Sequence, residues 1–342
     1  MFHTNHISLL TGEMPPCFDC LSFQTIRRAV CRIVWAVLVL SGGWFPFSAY
    51  AQQDVAFMQY HQVETQWNPA AVGRSPQLTV NAALQTHAAG FENAGSTMWA
   101  GADMAFAMGT TRHGVGAMFL NDAIGLFSHK RFALQYAYHQ KLYGGTLSVG
   151  LQADMLQEEI DGTKADLADG NDPAFPSAKL TGSAFDLSAG AGYTRRSLHL
   201  GISMLRLTAP TVLLGESNDL EVKSLLNFSG GYNIKLNHPF YTITPSAMLR
   251  TDFTDYRLDL TLRGQYEFEK RKLSAGLNYA PGRSVGLFVG GTFRGIDLSY
   301  GYEANTAGLG LSAGQHEITL TYRLNLDLGK KGRNLHKSVR WL

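Results

Sequence analysis

Long apolar runs are scarce in this chain. The one that stands out, Ile33–Phe47, covers about fifteen residues, short of the roughly twenty that a helix needs to cross a bilayer. Charge is scarce too. Asp, Glu, Lys and Arg make up 16% of the 342 residues, against about 25% in ordinary soluble domains. Mean hydropathy is nevertheless −0.08, which excludes a helical membrane protein. Low charge without long apolar runs suits a chain whose membrane-facing residues alternate one for one with polar ones. The net charge of +2, with no basic aromatic stripe, argues against a nucleic-acid partner.

Cysteine is nearly absent. Cys17, Cys20 and Cys31 are the only three, and all lie in the first tenth of the chain. Arg27, Arg28 and Arg32 form a basic n-region ahead of the Ile33–Phe47 stretch, and Ser48-Ala49-Tyr50-Ala51 supplies the small residues of an export cleavage site. Cleavage is expected after Ala51, leaving Gln52 as the new N-terminus. Met1–Gln24 is long for a leader, so either the n-region is extended or translation starts further in. A mature chain without thiols excludes disulfides, thiolate metal sites and a cysteine nucleophile. Cys17-x-x-Cys20 alone has the spacing of metal or redox chemistry, but it falls in the segment expected to be removed.

Other chemical signatures are missing as well. There is no G-x-x-x-x-G-K-[ST] phosphate loop, no G-x-S-x-G elbow, and no second histidine four residues after His316. The acidic residues of the Gln157–Gly182 stretch lack calcium-loop spacing and read as a solvated surface loop. The chain is read as a non-enzyme without cofactor or metal.

What is present is period-two alternation. Leu78, Val80, Ala82 and Leu84 alternate with Thr79, Asn81, Ala83 and Gln85, the first of about fourteen such segments that end at Leu326. Counted from the first segment, even-numbered connections are short, such as Gly109–His113, Lys141–Gly145 and Glu269–Arg271. Odd-numbered ones are mostly longer: His87–Gly95, Asn121–Lys130, Gln157–Gly182, Arg206–Glu221 and Ala304–Gln315. Short turns on one side and long loops on the other characterise outer-membrane barrels, with both termini expected in the periplasm. Tyrosines and phenylalanines cluster near strand ends, where interfacial girdles need them. Asp103, Asp154, Asp186, Asp259 and Asp297 are expected to face the lumen, because a charge facing lipid at mid-depth is costly. The reading is an all-β transmembrane antiparallel barrel of about fourteen strands after a cleaved signal peptide. Its parts are residues 1–51 (signal peptide with extension), 52–76 (periplasmic N-terminal segment), 77–326 (barrel) and 327–342 (basic periplasmic tail).

The 52–76 segment does not alternate. It holds Gln53, Asp54, Phe57, Gln59 and Tyr60, then Trp67, Asn68, Pro69, Ala70 and Gly73. A segment of this composition can plug the lumen, dock on a partner, or merely cover the inner mouth. The pattern Q-D-x-x-F-x-Q-Y followed by N-P-A-x-x-G resembles the start of mature PorP/SprF family proteins, outer-membrane components of the type IX secretion system of Bacteroidetes. The resemblance continues through Tyr136-Ala137-Tyr138, the Gly144–Gln152 run, Asp172-Pro173, Phe185-Asp186-Leu187 and Pro245-Ser246. It ends with Tyr300-Gly301-Tyr302 and with His316, Glu317, Tyr322 and Arg323 of the final strand. One departure is His61–Gln66, where the family often carries an aromatic-rich stretch. The resemblance implies a role in exporting proteins with C-terminal sorting domains. It also implies association with outer-membrane lipid, periplasmic ring lipoproteins and an OmpA-like peptidoglycan-binding lipoprotein. From a different class, a porin or hydrophobic-compound transporter is the alternative.

Overall fold

The computed structural model describes residues 55–87, 95–164, 179–215, 218–236, 238, 240–269, 271–306 and 314–325. The expected leader with its cleavage site at Ala51 and Gln52, the motif residues Gln53 and Asp54, Asp172-Pro173 and the 327–342 tail lie outside the described residues.

Alternation becomes a closed antiparallel sheet. The strands are β1 (Leu78–Thr86), β2 (Ser96–Met108), β3 (Thr111–Ile124), β4 (Phe127–Leu142), β5 (Gly145–Asp161), β6 (Lys179–Arg195) and β7 (Leu198–Leu205). After these come a small hairpin, β8 (Thr211–Leu214) and β9 (Asn218–Glu221), and then β10 (Leu225–Tyr232) and the short β11 (Ile234–Lys235). The remaining strands are β12 (Tyr241–Thr251), β13 (Tyr256–Phe268), β14 (Arg271–Ala280), β15 (Ser284–Phe293), β16 (Ile296–Asn305) and β17 (Gln315–Leu324). Each barrel strand pairs with its sequence neighbours, β10 with both β7 and β12. The cylinder closes where β1 meets β17, with Leu84 opposite Ile318. Setting aside β8, β9 and the two-residue β11, fourteen strands make the wall.

The two faces of that wall obey opposite rules. Outward positions carry Leu134, Leu151 and Phe185, exposed by 70%, 61% and 82%. On the same strands the inward positions hold the buried Gln135, Gln152, Asp154, Asp186 and Ser188. Hydrocarbon offers no hydrogen bonds, so apolar groups face out and polar groups line the lumen, while ring closure leaves no unpaired edge. Asp103, Asp154, Asp186 and Asp259 are buried. Asp259 takes two hydrogen bonds from the Arg257 Nε at 3.0 Å, and Arg257 also reaches Glu303 at 2.9 Å. Asp297 lies at the short-turn mouth, paired with Arg323 at 2.5 Å.

Tight hairpins close the short-turn end. Tyr143-Gly144 has φ values of 48° and 72°, and Arg294-Gly295 has 52° and 85°. Positive φ at both central residues is the mark of type I′ turns, whose twist matches the flanking strands. At the other end, β5 and β6 are 17 residues each, well beyond the roughly 9–11 that cross a membrane.

This height corrects several loop assignments. Asn121–Lys130 is not a loop: β3 and β4 continue through it to a tight turn at Gly125-Leu126. Glu158, Glu159 and Asp161 belong to β5, not to a solvated loop. Glu158 bonds His129, and Glu159 pairs with Lys130 at 3.2 Å and Lys179 at 2.6 Å. Arg206–Glu221 contains the β8–β9 hairpin, which buries Val212 and Leu214 against Leu156 and Val222. A Cβ on the inward-facing Gly182 would meet the Leu213 carbonyl at 2.2 Å, so the hairpin bends in over the long-loop mouth.

Candidate functional site in the barrel lumen

Ahead of β1, residues 55–77 run through the interior. They begin at the long-loop end, where Val55 and Ala56 share a cavity wall with Asp122, Phe127, Asp252 and Arg283. They reach the short-turn end at Gly73, beside Arg112 of β3. Near the other end of the described chain, Leu324, the last residue of β17, is register partner to Leu78 at the short-turn end. The two described ends therefore face opposite mouths, because the chain crosses the lumen lengthwise before its first strand. The termini themselves, both expected on one side, lie outside the described residues.

This segment folds locally on weak signals. Val63 leads into one helical turn, α1 (Glu64–Trp67), and the Trp67 indole N–H donates to the Tyr60 carbonyl at 3.0 Å. Asn68 then caps a 3₁₀ turn, Pro69–Ala71, its side chain accepting from the Ala70 N–H at 2.9 Å. Pro69 takes the first position, where its missing N–H costs nothing. Gly73 follows at φ 67°, a left-handed backbone that glycine adopts without strain. The N-P-A-x-x-G pattern is thus a cap, a preset first residue, two small residues and a reversal.

A single helical turn cannot satisfy its own backbone in a buried setting, so the wall does it. Arg250 donates to the carbonyls of Val55 and Phe57, both at 3.3 Å. The Glu317 carboxylate accepts from the Met58 N–H at 2.7 Å and the Gln59 N–H at 2.9 Å. Gln135 donates to Thr65 at 2.6 Å, Arg131 to Gln66 at 3.2 Å, and Ser203 to Trp67. His139 bonds the Val72 carbonyl at 2.8 Å. Asp103 accepts the Gly73 N–H at 2.8 Å, and Arg112 donates to the Gly73 carbonyl at the same distance.

Side chains of the segment are embedded as well. Phe57 packs with Val55, Val63, Trp99, Met118 and Leu120, and Tyr60 and Trp67 pack on Met248. The Tyr60 hydroxyl lies 2.8 Å from the Ser246 hydroxyl. Gln59 accepts from Ser299 and from Gln62, the latter at 2.9 Å. Glu64 and Arg74 pair at 2.5 Å within the segment.

Close approach needs glycine on the wall. A Cβ on Gly150 would stand 2.3 Å from the Ala70 nitrogen, and one on Gly190 would stand 2.2 Å from Asn68 Oδ1. On Gly114 it would meet the Val72 carbonyl at 2.2 Å, and on Gly286 or Gly301 it would strike Met58 at 2.1 or 2.2 Å. All five occupy inward register positions. Alternation by itself does not single out this bed. The signal was available as glycine where alternation asks for a polar lumenal residue. The wall donors Arg131, Gln135, His139 and Arg250 were missed too, since nothing distinguishes them from other lumenal polar residues.

The last-strand motif divides. Glu317 faces the lumen and holds the segment. His316 bonds the Tyr300 hydroxyl at 2.7 Å, Tyr322 is 37% exposed on the outer face, and Arg323 lies at the short-turn mouth. Among the described residues no three His, Cys, Asp or Glu side chains converge as a metal site.

Among solved structures the chain is similar to a deltaS2 mutant of the TodX monoaromatic hydrocarbon channel, at 11% identity and TM-score 0.48. That match covers 78% of this chain and 94% of that one. The Ralstonia pickettii toluene transporter TbuX gives 10% identity, TM-score 0.48, and coverage of 77% and 94%. A Pseudomonas aeruginosa FadL homologue gives 12%, 0.44, and 75% and 93%. No curated protein matches the chain. The family model described as type IX secretion system membrane protein PorP/SprF matches residues 49–322. With that match spanning most of the chain, including the lumenal segment and all but the end of the last strand, the protein belongs to the PorP/SprF family of type IX secretion system membrane proteins.

Proposed function

We propose that this protein is a plugged outer-membrane station that anchors or couples the periplasmic machinery of type IX secretion, serving export of proteins with C-terminal sorting domains. The observation that carries the reading is the lumenal segment. Its backbone is held from Val55 to Gly73 by side chains of the barrel wall. A lumen filled in this way is not a route for a folded cargo, so the work falls to the rims. In this reading the leader is cleaved after Ala51 and the short turns face the periplasm. There the two-residue turns present Tyr143, Arg196 and Arg294 in rigid left-handed backbone to ring lipoproteins and the OmpA-like peptidoglycan-binding lipoprotein.

The test is a pull-down of the tagged mature protein from membranes, combined with single-channel recording of the purified barrel. Co-purification of periplasmic lipoproteins with electrical silence is expected. Large steady currents without such partners would overturn the reading in favour of a porin. Deleting Gln52–Gly73 should open a conducting lumen while the barrel still migrates as heat-modifiable. Silence of that variant would show that the segment is not what closes the pore.

A further inference from the structure

A polar cavity of about 460 Å³ opens at the short-turn mouth, between the lumenal segment and the inner faces of β13–β17, β1 and β2. Its cations are unevenly matched. Arg74 is paired with Glu64 and Arg323 with Asp297, each at 2.5 Å. Asp103 is occupied by the Gly73 N–H. Arg263 of β13 and Lys272 of β14 remain. Among the described residues neither has an ion pair or a side-chain hydrogen bond, and the buried Arg263 Nε has no acceptor. Lys272 has Glu267 as register partner, but that residue is exposed and makes no ion pair with it.

His61 completes the group from the lumenal segment. Its ring leans on Phe288, with centroids 5.4 Å apart, and its Nδ1 is buried without a partner. The charges of Arg263 and Lys272 both act on this imidazole and on each other, so the three lie within electrical reach. Gln265 and Ser274, directly opposed across β13 and β14, line the cavity between the two cations.

Charges withdrawn from bulk water are ordinarily paired, yet Arg263 and Lys272 are half-buried, and Asp297, an acid that acts on Lys272, is already held by Arg323. Here two converge with an unsatisfied imidazole and two neutral polar groups on an open, polar cavity. We infer that this vestibule binds an oxyanion, with phosphate the simplest member of the class. The Arg263 guanidinium supplies a planar fork, the Lys272 ammonium a point charge, and Gln265 and Ser274 neutral hydrogen bonds. Arg263, Lys272, Gln265 and Ser274 are not among the wall side chains that hold the lumenal segment, and the site does not depend on which partners the rims bind.

The experiment is titration calorimetry on the full mature barrel in phosphate-free non-ionic detergent, first with inorganic phosphate and then with glycerol 3-phosphate. Saturable one-site binding that weakens with added salt is expected. The double variant R263Q/K272Q should lose about tenfold or more in affinity, and R271Q, which removes a neighbouring exposed cation, should lose none. Tighter binding of glycerol 3-phosphate would assign the site to an esterified headgroup, and tighter binding of phosphate to the free ion; either supports an oxyanion site. Absence of binding by both probes in the millimolar range, or unchanged affinity in the double variant, overturns it. K272M, which removes one charge while keeping an aliphatic stem, gives the same reading should the double variant fail to show heat-modifiable migration.

Discussion

The carboxylate of Glu317 accepts a hydrogen bond from the Met58 N–H at 2.7 Å, joining residues 259 positions apart. Its other oxygen takes the Gln59 N–H. One side chain of the last strand thereby fixes the first part of the lumenal segment at the place where the barrel closes.

E317A should loosen that part of the segment. It leaves two buried N–H donors without an acceptor, a loss of about 2 kcal/mol or more. Hydrogen exchange of the purified barrel should show lost protection at Met58 and Gln59, with the strand amides of β12–β15 unchanged. Retained protection at those two amides would mean that Glu317 does not hold the segment.

The wall glycines should tolerate no side chain where the segment lies against them. G150A and G190A place a Cβ within about 2.3 Å of the segment, while G264A places one 3.8 Å from its nearest neighbour, a β14 carbonyl. The first two variants should expose the 55–73 region to limited proteolysis in detergent, and G264A should match the parent. Equal resistance of all three would show that the glycines are not a docking bed.

Orientation is open to a labelling test, since the expected mature chain has no thiol. Phe253, 66% exposed, lies in the β12–β13 loop at the long-loop end, and Tyr143, 80% exposed, lies in a short turn. F253C should react with a membrane-impermeant maleimide on intact cells, and Y143C only after the outer membrane is permeabilised. The reverse pattern would invert the proposed topology.

The barrel was readable from the linear chain because its constraint is local. Lipid outside and a polar lumen inside impose opposite demands on successive residues, so each strand carries its own two-residue signature. The expected count of about fourteen and the first strand at Leu78 come from that signature, and the wall has fourteen strands. Their heights do not come from it. Towards the β3–β4 turn polar residues crowd both faces of the ladder, and Asn121, Asp122, His129 and Lys130 look like loop although the pairing runs through them. The lumenal segment escaped for a deeper reason. Its caps and turns could be anticipated from Asn68, Pro69 and Gly73, but whether it covers the mouth or fills the pore depends on Glu317, Arg250, Arg131 and the glycines beneath it. Those partners lie tens to hundreds of residues away, and closure of the cylinder is what brings them around the segment.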